Sequence, residues 1–117
     1  MAYDIPLPKE LPEPGYYYHF KRDPEGPLSN YAYYIYGVGH HTEHNCPTED
    51  AFMQVYRPLY KNSYAYRNGR QFDLRSLHMF YEPAVKDGKP VARFRKITDP
   101  ELIAKLRAIK ARMYPDL

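Results

Sequence analysis

The chain has 117 residues, one cysteine and no tryptophan, with a net charge of +3. That is one domain's worth of chain. A single cysteine excludes an intramolecular disulfide, and no apolar run approaches the roughly 18 residues that cross a bilayer, so a cytoplasmic protein away from membranes is expected.

Tyrosine stands out. Fourteen tyrosines accompany five phenylalanines, more rings than a core of this size absorbs, so some hydroxyls must reach the surface or a contact. The charge is also uneven. Residues 1–85 carry 8 basic and 10 acidic groups (−2), and residues 86–117 carry 9 basic and 4 acidic groups (+5). A basic end of this kind fits a solvated helix face or attraction to phosphates and acidic partners.

In chain order, "MAYDIPLPKE" has neither a basic start nor an apolar stretch, and no signal peptide is expected. Residues 5–15, "IPLPKELPEPG", hold four prolines and no hydrophobic period, so residues 1–15 read as an extended arm. "YYYHFK" (16–21) reads as a first strand, and "RDPEGPLS" (22–29) is turn chemistry. "NYAYYIYGVGHH" (30–41) is the strongest strand signal, with Gly37 and Gly39 marking a bend or bulge.

"EDAFMQVYRPLY" (49–60) is a third strand that Pro58 should end or push to an edge, and "SYAYR" (63–67) before Asn68-Gly69 reads as a fourth strand and a tight turn. Residues 71–85 mix a short strand, one helical turn near Leu74–Met79 and a further strand; "KDGK" (86–89) turns the chain and "PVARFRKI" completes the sheet. The end reads as an amphipathic helix, with Thr98 or Asp99 as N-cap, Pro100 in the first turn and a stripe of Leu102, Leu106, Ile109 and Met113. Five or six short antiparallel strands in so short a chain predict a mainly β fold: a small, strongly curved barrel over 16–97, with helix 98–117 packed on it.

Several motifs recur in one order: "YYHFK" (17–21), "YYIYGVGHHTE" (33–43), "VYRPLY" (55–60), "LRSLHMF" (74–80), "DGK" (87–89) and "RF" (93–94). In this the chain resembles a family of small, mostly bacterial proteins known only as a domain of unknown function. That family carries Tyr-x-His-Phe-Lys, His-Ser-Glu, Tyr-Arg-x-Leu-Tyr and Arg-Pro-Leu-x-Met-Phe. The resemblance covers residues 16 to about 97 and implies an SH3-like barrel, with no activity or cofactor attached. Here "HTE" stands for His-Ser-Glu, "RSLHMF" lacks the proline, and "DPEGPLSN" lengthens the first turn.

For function, the chain has no G-x-S-x-G, phosphate-binding loop or dinucleotide fingerprint, and no cofactor is expected. The segment "GHHTEHNC" (39–46) holds three of five histidines and the cysteine. It has the ligand types for zinc, but structural zinc sites usually draw on two separated pairs. A polar turn is the expected reading, and a small metal-dependent enzyme the more remote one. Cys46 with His44 offers a thiol and an imidazole, but beside Pro47 the segment is not extended enough to align them.

The polar residues set among aromatics within the resembling motifs are His19, Lys21, His41, Glu43, Arg57, Tyr60 and Arg75. Together they are the candidate lining of a groove in a non-catalytic binding module for an anionic small molecule, peptide or nucleic acid. Strand alternation sets Tyr56 and Arg57 on opposite faces unless the strand twists or bulges. Arg75 suits bidentate pairing, either with Glu43 or Asp73 as a structural staple or with a ligand. An RNA- or DNA-binding module using tyrosine stacking and the basic C-terminal part is the alternative.

Overall fold

Rings and β-branched side chains favour the extended backbone, where each covers its neighbours across a pleated surface. In the computed structural model, which describes residues 7–43, 45–60 and 72–115, the tyrosine-rich segments are strands. β1 (Gly15–His19), β2 (Ala32–His40), β3 (Phe52–Pro58) and β4 (Asp73–Ser76) come first. The short helix α1 (Leu77–Tyr81) and a hairpin of β5 (Ala84–Lys86) and β6 (Lys89–Val91) follow, then β7 (Phe94–Lys96) and helix α2 (Pro100–Met113). Five strands form one antiparallel sheet in the order β4-β3-β2-β1-β7, and β5 pairs only with β6.

The mainly β fold with one C-terminal helix agrees with the sequence reading, as does the helical turn after β4. The closed barrel does not. A barrel needs its two edge strands to meet, and here β4 and β7 are the unjoined edges of an open sheet. The strands that would have to bridge them, β5 and β6, spend their hydrogen bonds on each other. The strand expected at 63–67 and the turn at 68–69 lie outside the described residues.

The bulge falls where the glycines point: the β2–β3 register slips between Ile35 and Gly37, leaving Tyr36 as the extra residue. The β5–β6 turn puts Asp87 at φ 53° and Gly88 at φ 77°, the paired left-handed conformation that matches strand twist in a two-residue hairpin.

α2 begins as its sequence dictates. Asp99 caps it by accepting from the Glu101 N–H at 3.1 Å, with Pro100 at the first position. Leu106 is wholly buried against Tyr16, Ala32, Leu59 and Ile97, while Leu102, Ile103 and Ile109 pack at its margins. Past the helix, the Tyr114 hydroxyl donates to the Pro58 carbonyl at 2.6 Å and ties the end of α2 to the end of β3.

The described part of the proline arm, residues 7–15, lies on the domain. The Tyr17 hydroxyl donates to the Glu13 carbonyl at 2.8 Å and the Tyr81 hydroxyl to the Glu10 carbonyl at 2.7 Å. Pro12 is buried between them in sequence, and Lys96 pairs with Glu13 at the surface.

Removing the Leu106 side chain should open a cavity at the centre of this packing. Leu106→Ala is expected to lower the free energy of unfolding by about 2–4 kcal/mol in a urea titration. A change near zero would show that α2 does not hold the sheet.

Candidate functional site

Strand alternation gives the sheet two unlike faces. Tyr16 and Tyr18 of β1 and Tyr34 of β2 pack with the core beneath α2. The intervening residues point the other way, and the registers Tyr17↔Tyr33, His19↔Phe94, Ile35↔Tyr56, Gln54↔Arg75 and Tyr56↔Asp73 bring them side by side.

The face so formed is a layer of rings. His19 stacks on Tyr31 at 5.6 Å between centroids and meets Phe94 edge-on at 5.2 Å. Tyr33 lies at the centre, edge-on to Tyr56 at 5.6 Å, to Tyr60 at 5.7 Å and to Phe94 at 5.9 Å. Phe80 of α1 extends the layer by stacking on Phe94 at 5.2 Å. The hydroxyls of Tyr33 and Tyr60 share a hydrogen bond of 2.7 Å. Each of these rings is half-buried among the described residues.

Arg75 brings charge to the layer. On β4 it stands diagonal to Tyr56 of β3, and its charge acts on Tyr56 and also reaches Tyr33, Tyr60 and His19. Burial raises the phenols of Tyr33, Tyr56 and Tyr60 above the ordinary tyrosine range, so all three stay protonated at neutral pH.

His19 moves the opposite way. Burial first, then the charges of Lys21, Arg75 and Arg93, lower it from 6.5 to about 4, and the ring is neutral at pH 7. Its Nδ1 accepts from the Lys21 backbone N–H at 3.2 Å, which leaves the proton on Nε2. Tyr31, in contact with both His19 and Tyr60, has φ 57°. That left-handed conformation is costly for a bulky residue and persists only where the surroundings impose it.

The structure therefore gathers His19, Tyr60 and Arg75 of the expected set. Lys21 is exposed just beyond β1, near enough to act on His19 by its charge. Arg57 belongs to the other face, for the alternation reason given above. It is 5 % exposed, and its guanidinium lies over the rings of Tyr114 and Phe72 at 4.1 and 4.9 Å.

His41 and Glu43 follow the end of β2 and close a local turn, the Glu43 N–H donating to His41 Nδ1 at 3.1 Å. β3 stands between β2 and β4, and Arg75 meets Tyr56 rather than Glu43. Sequence reasoning missed Tyr31, Tyr33, Tyr56, Phe80 and Phe94 as members of the site. Period-two alternation separates Tyr56 from Arg57 and carries Tyr33 as well. Phe80 and Phe94 needed the β1–β7 pairing.

Within "GHHTEHNC", His40 packs its ring against Phe52 at 5.3 Å and the Cys46 N–H donates to the Glu43 carbonyl at 3.4 Å. His44 lies outside the described residues. Among the described residues, no three of His, Cys, Asp and Glu gather in a way that could hold a metal ion. Comparisons with protein-family models, curated proteins and solved structures found no match to this chain.

Two measurements follow from this site. Because the fold holds His19 near 4 while the unfolded ring titrates near 6.5, the unfolded state binds more protons between those values. Its contribution to stability is full above pH 6.5 and is lost as pH falls towards 4. Denaturation midpoints should fall over that window, and His19→Phe should flatten the fall; an unchanged slope would refute the shift. Separately, if the histidine segment is only a turn, a chelator should leave the thermal midpoint unchanged. A stoichiometric zinc content with chelator-induced loss of stability would reverse that reading.

Proposed function

We propose that this chain is a small non-catalytic binding module whose aromatic sheet face takes a flat, negatively charged ligand. The observation that carries the reading is Arg75 set among Tyr33, Tyr56 and Tyr60, on the face that α2 leaves uncovered. Half-buried rings offer stacking surface at low entropic cost, because a tyrosine has few torsions to freeze. The guanidinium supplies the charge, and the neutral His19 adds an Nε2–H donor.

The same electrostatics weigh against proton-transfer chemistry. A phenol held protonated and an imidazole that titrates near 4 are poorly poised as bases at neutral pH. The motif resemblance over 16–97 is compatible with a binding role and adds no reaction to it.

Single-stranded RNA or DNA is the second reading. Bases stack on exposed tyrosines much as a nucleotide ring would, and residues 86–117 carry the +5 excess. Salt separates the two, since binding that releases counterions from many phosphates weakens steeply as salt rises.

With no tryptophan, protein emission comes from tyrosine, and the part of its change that Tyr33→Phe and Tyr56→Phe remove reports on this face during titration with nucleoside monophosphates. Arg75→Ala should change stability by no more than about 1 kcal/mol, as one partly exposed charged contact is lost. It should weaken binding about tenfold or more, the loss of a charge-assisted hydrogen bond. Tyr60→Phe keeps the ring, loses the hydroxyl pair, and should weaken binding less. A large loss of stability in Arg75→Ala, with no saturable binding by the wild type at millimolar ligand, would make the cluster a structural staple.

A further inference from the structure

Where β1 ends, the chain turns through residues 20–24 and meets the β5–β6 hairpin and β7, leaving a recess of about 210 Å³. Its wall carries three full cations, Arg22, Lys86 and Arg95, together with His19, and among the described residues no carboxylate. The β1–β7 register puts Arg95 on the same face as Tyr18, and the Arg22 guanidinium lies over the Tyr18 ring at 3.8 Å.

None of the three cations is ion-paired among the described residues. Lys86 reaches the Phe20 carbonyl at 3.4 Å, and the Nε of Arg22 is buried without an acceptor. The carboxylate nearest to Arg22 in sequence serves its own loop instead, Asp23 accepting from the Glu25 N–H at 3.0 Å.

Like charges sharing one concave wall repel one another, more so where the wall displaces water. An anion in the recess would relieve that repulsion. Stacking on Tyr18 also holds Arg22 in place beforehand, so its planar fork of donors loses little freedom on meeting an oxyanion.

We propose that this recess binds a phosphoryl oxyanion, held by Arg22, Lys86 and Arg95. The site shares His19 with the aromatic layer but contains neither Arg75 nor its tyrosines, so Arg75→Ala leaves its three cations in place and separates the two readings. The phosphoryl group belongs either to a free small phosphate or to a nucleic-acid backbone.

Pyrophosphate is a suitable first probe because it has no ring to engage the aromatic face. Titrated into the full chain by calorimetry, it should bind saturably at one site and shift the His19 ring-proton resonances. Arg22→Gln and Arg95→Gln should each weaken binding about tenfold or more. Arg112→Gln, which removes a cation from the far end of α2, should leave it within a factor of about two.

Arg22 also stacks, so if its variant fails to fold, Arg95→Gln on the exposed side of β7 carries the test. No saturation by about 10 mM pyrophosphate, where even weak sites fill, would overturn the proposal. Equal weakening in all three variants would do the same, since only net charge would then matter. Single-stranded oligonucleotides of rising length distinguish the sources. Affinity that climbs with length and falls steeply with salt assigns the oxyanion to a backbone. A mononucleotide that binds as tightly as the longest oligomer assigns it to a free phosphate.

Discussion

The packing of Leu106 into the sheet is the constraint on which the rest depends. One helix of fourteen residues can cover one face of a five-stranded sheet and no more. Leu106 fills the hollow between Tyr16, Ala32, Leu59 and Ile97, and the Tyr114–Pro58 hydrogen bond fixes where the helix ends. Side chains beneath the helix on that side become core, including Arg57, whose charge is accommodated by the rings above it rather than by water. The other side has only the short α1, whose Phe80 packs against Phe94 and Tyr17, and much of it stays half open.

Tyrosine answers that second requirement. A purely aliphatic face left half open would be an aggregation hazard, whereas rings that meet edge to face and carry hydroxyls tolerate partial exposure. The same side chain also holds the irregular backbone in place. Hydroxyls of Tyr17, Tyr18, Tyr81 and Tyr114 donate to carbonyls of the arm, the first loop and the end of β3. The fourteen tyrosines thus do more than fill strands: some build the open face and others tie the arm and loops to the sheet.

The two proposed sites differ in the physics they use. On the aromatic face, one guanidinium sits among rings that are already satisfied by one another, so recognition would come from stacking with a single charge for orientation. In the recess beyond β1, three cations share a wall with no counter-charge among the described residues, so recognition would come from charge and charge-assisted hydrogen bonds. His19 borders both, its ring in the aromatic layer and its position on the rim of the recess.

Much of this architecture could be read along the chain, because local chemistry dictates it. Asp99-Pro100 starts the last helix, Asp87-Gly88 turns a hairpin, Gly37 marks the bulge, and Pro58 ends β3. Alternation along β3 sends Tyr56 and Arg57 to opposite faces whatever the rest of the fold does. Non-local pairing decided the remainder. Whether the sheet closes depends on which strands β5 and β6 choose, and they choose each other, so an expected barrel is an open sheet. Arg75 lies beside Tyr56 rather than Glu43 because β3 separates β4 from β2, a fact of strand order that no spacing encodes. Phe94 and Arg95 take opposite sides of an edge strand, one joining the aromatic layer and the other the basic recess, only because β7 pairs with β1. Sequence determines which residues can share a strand face; the order in which strands meet decides which faces become one surface.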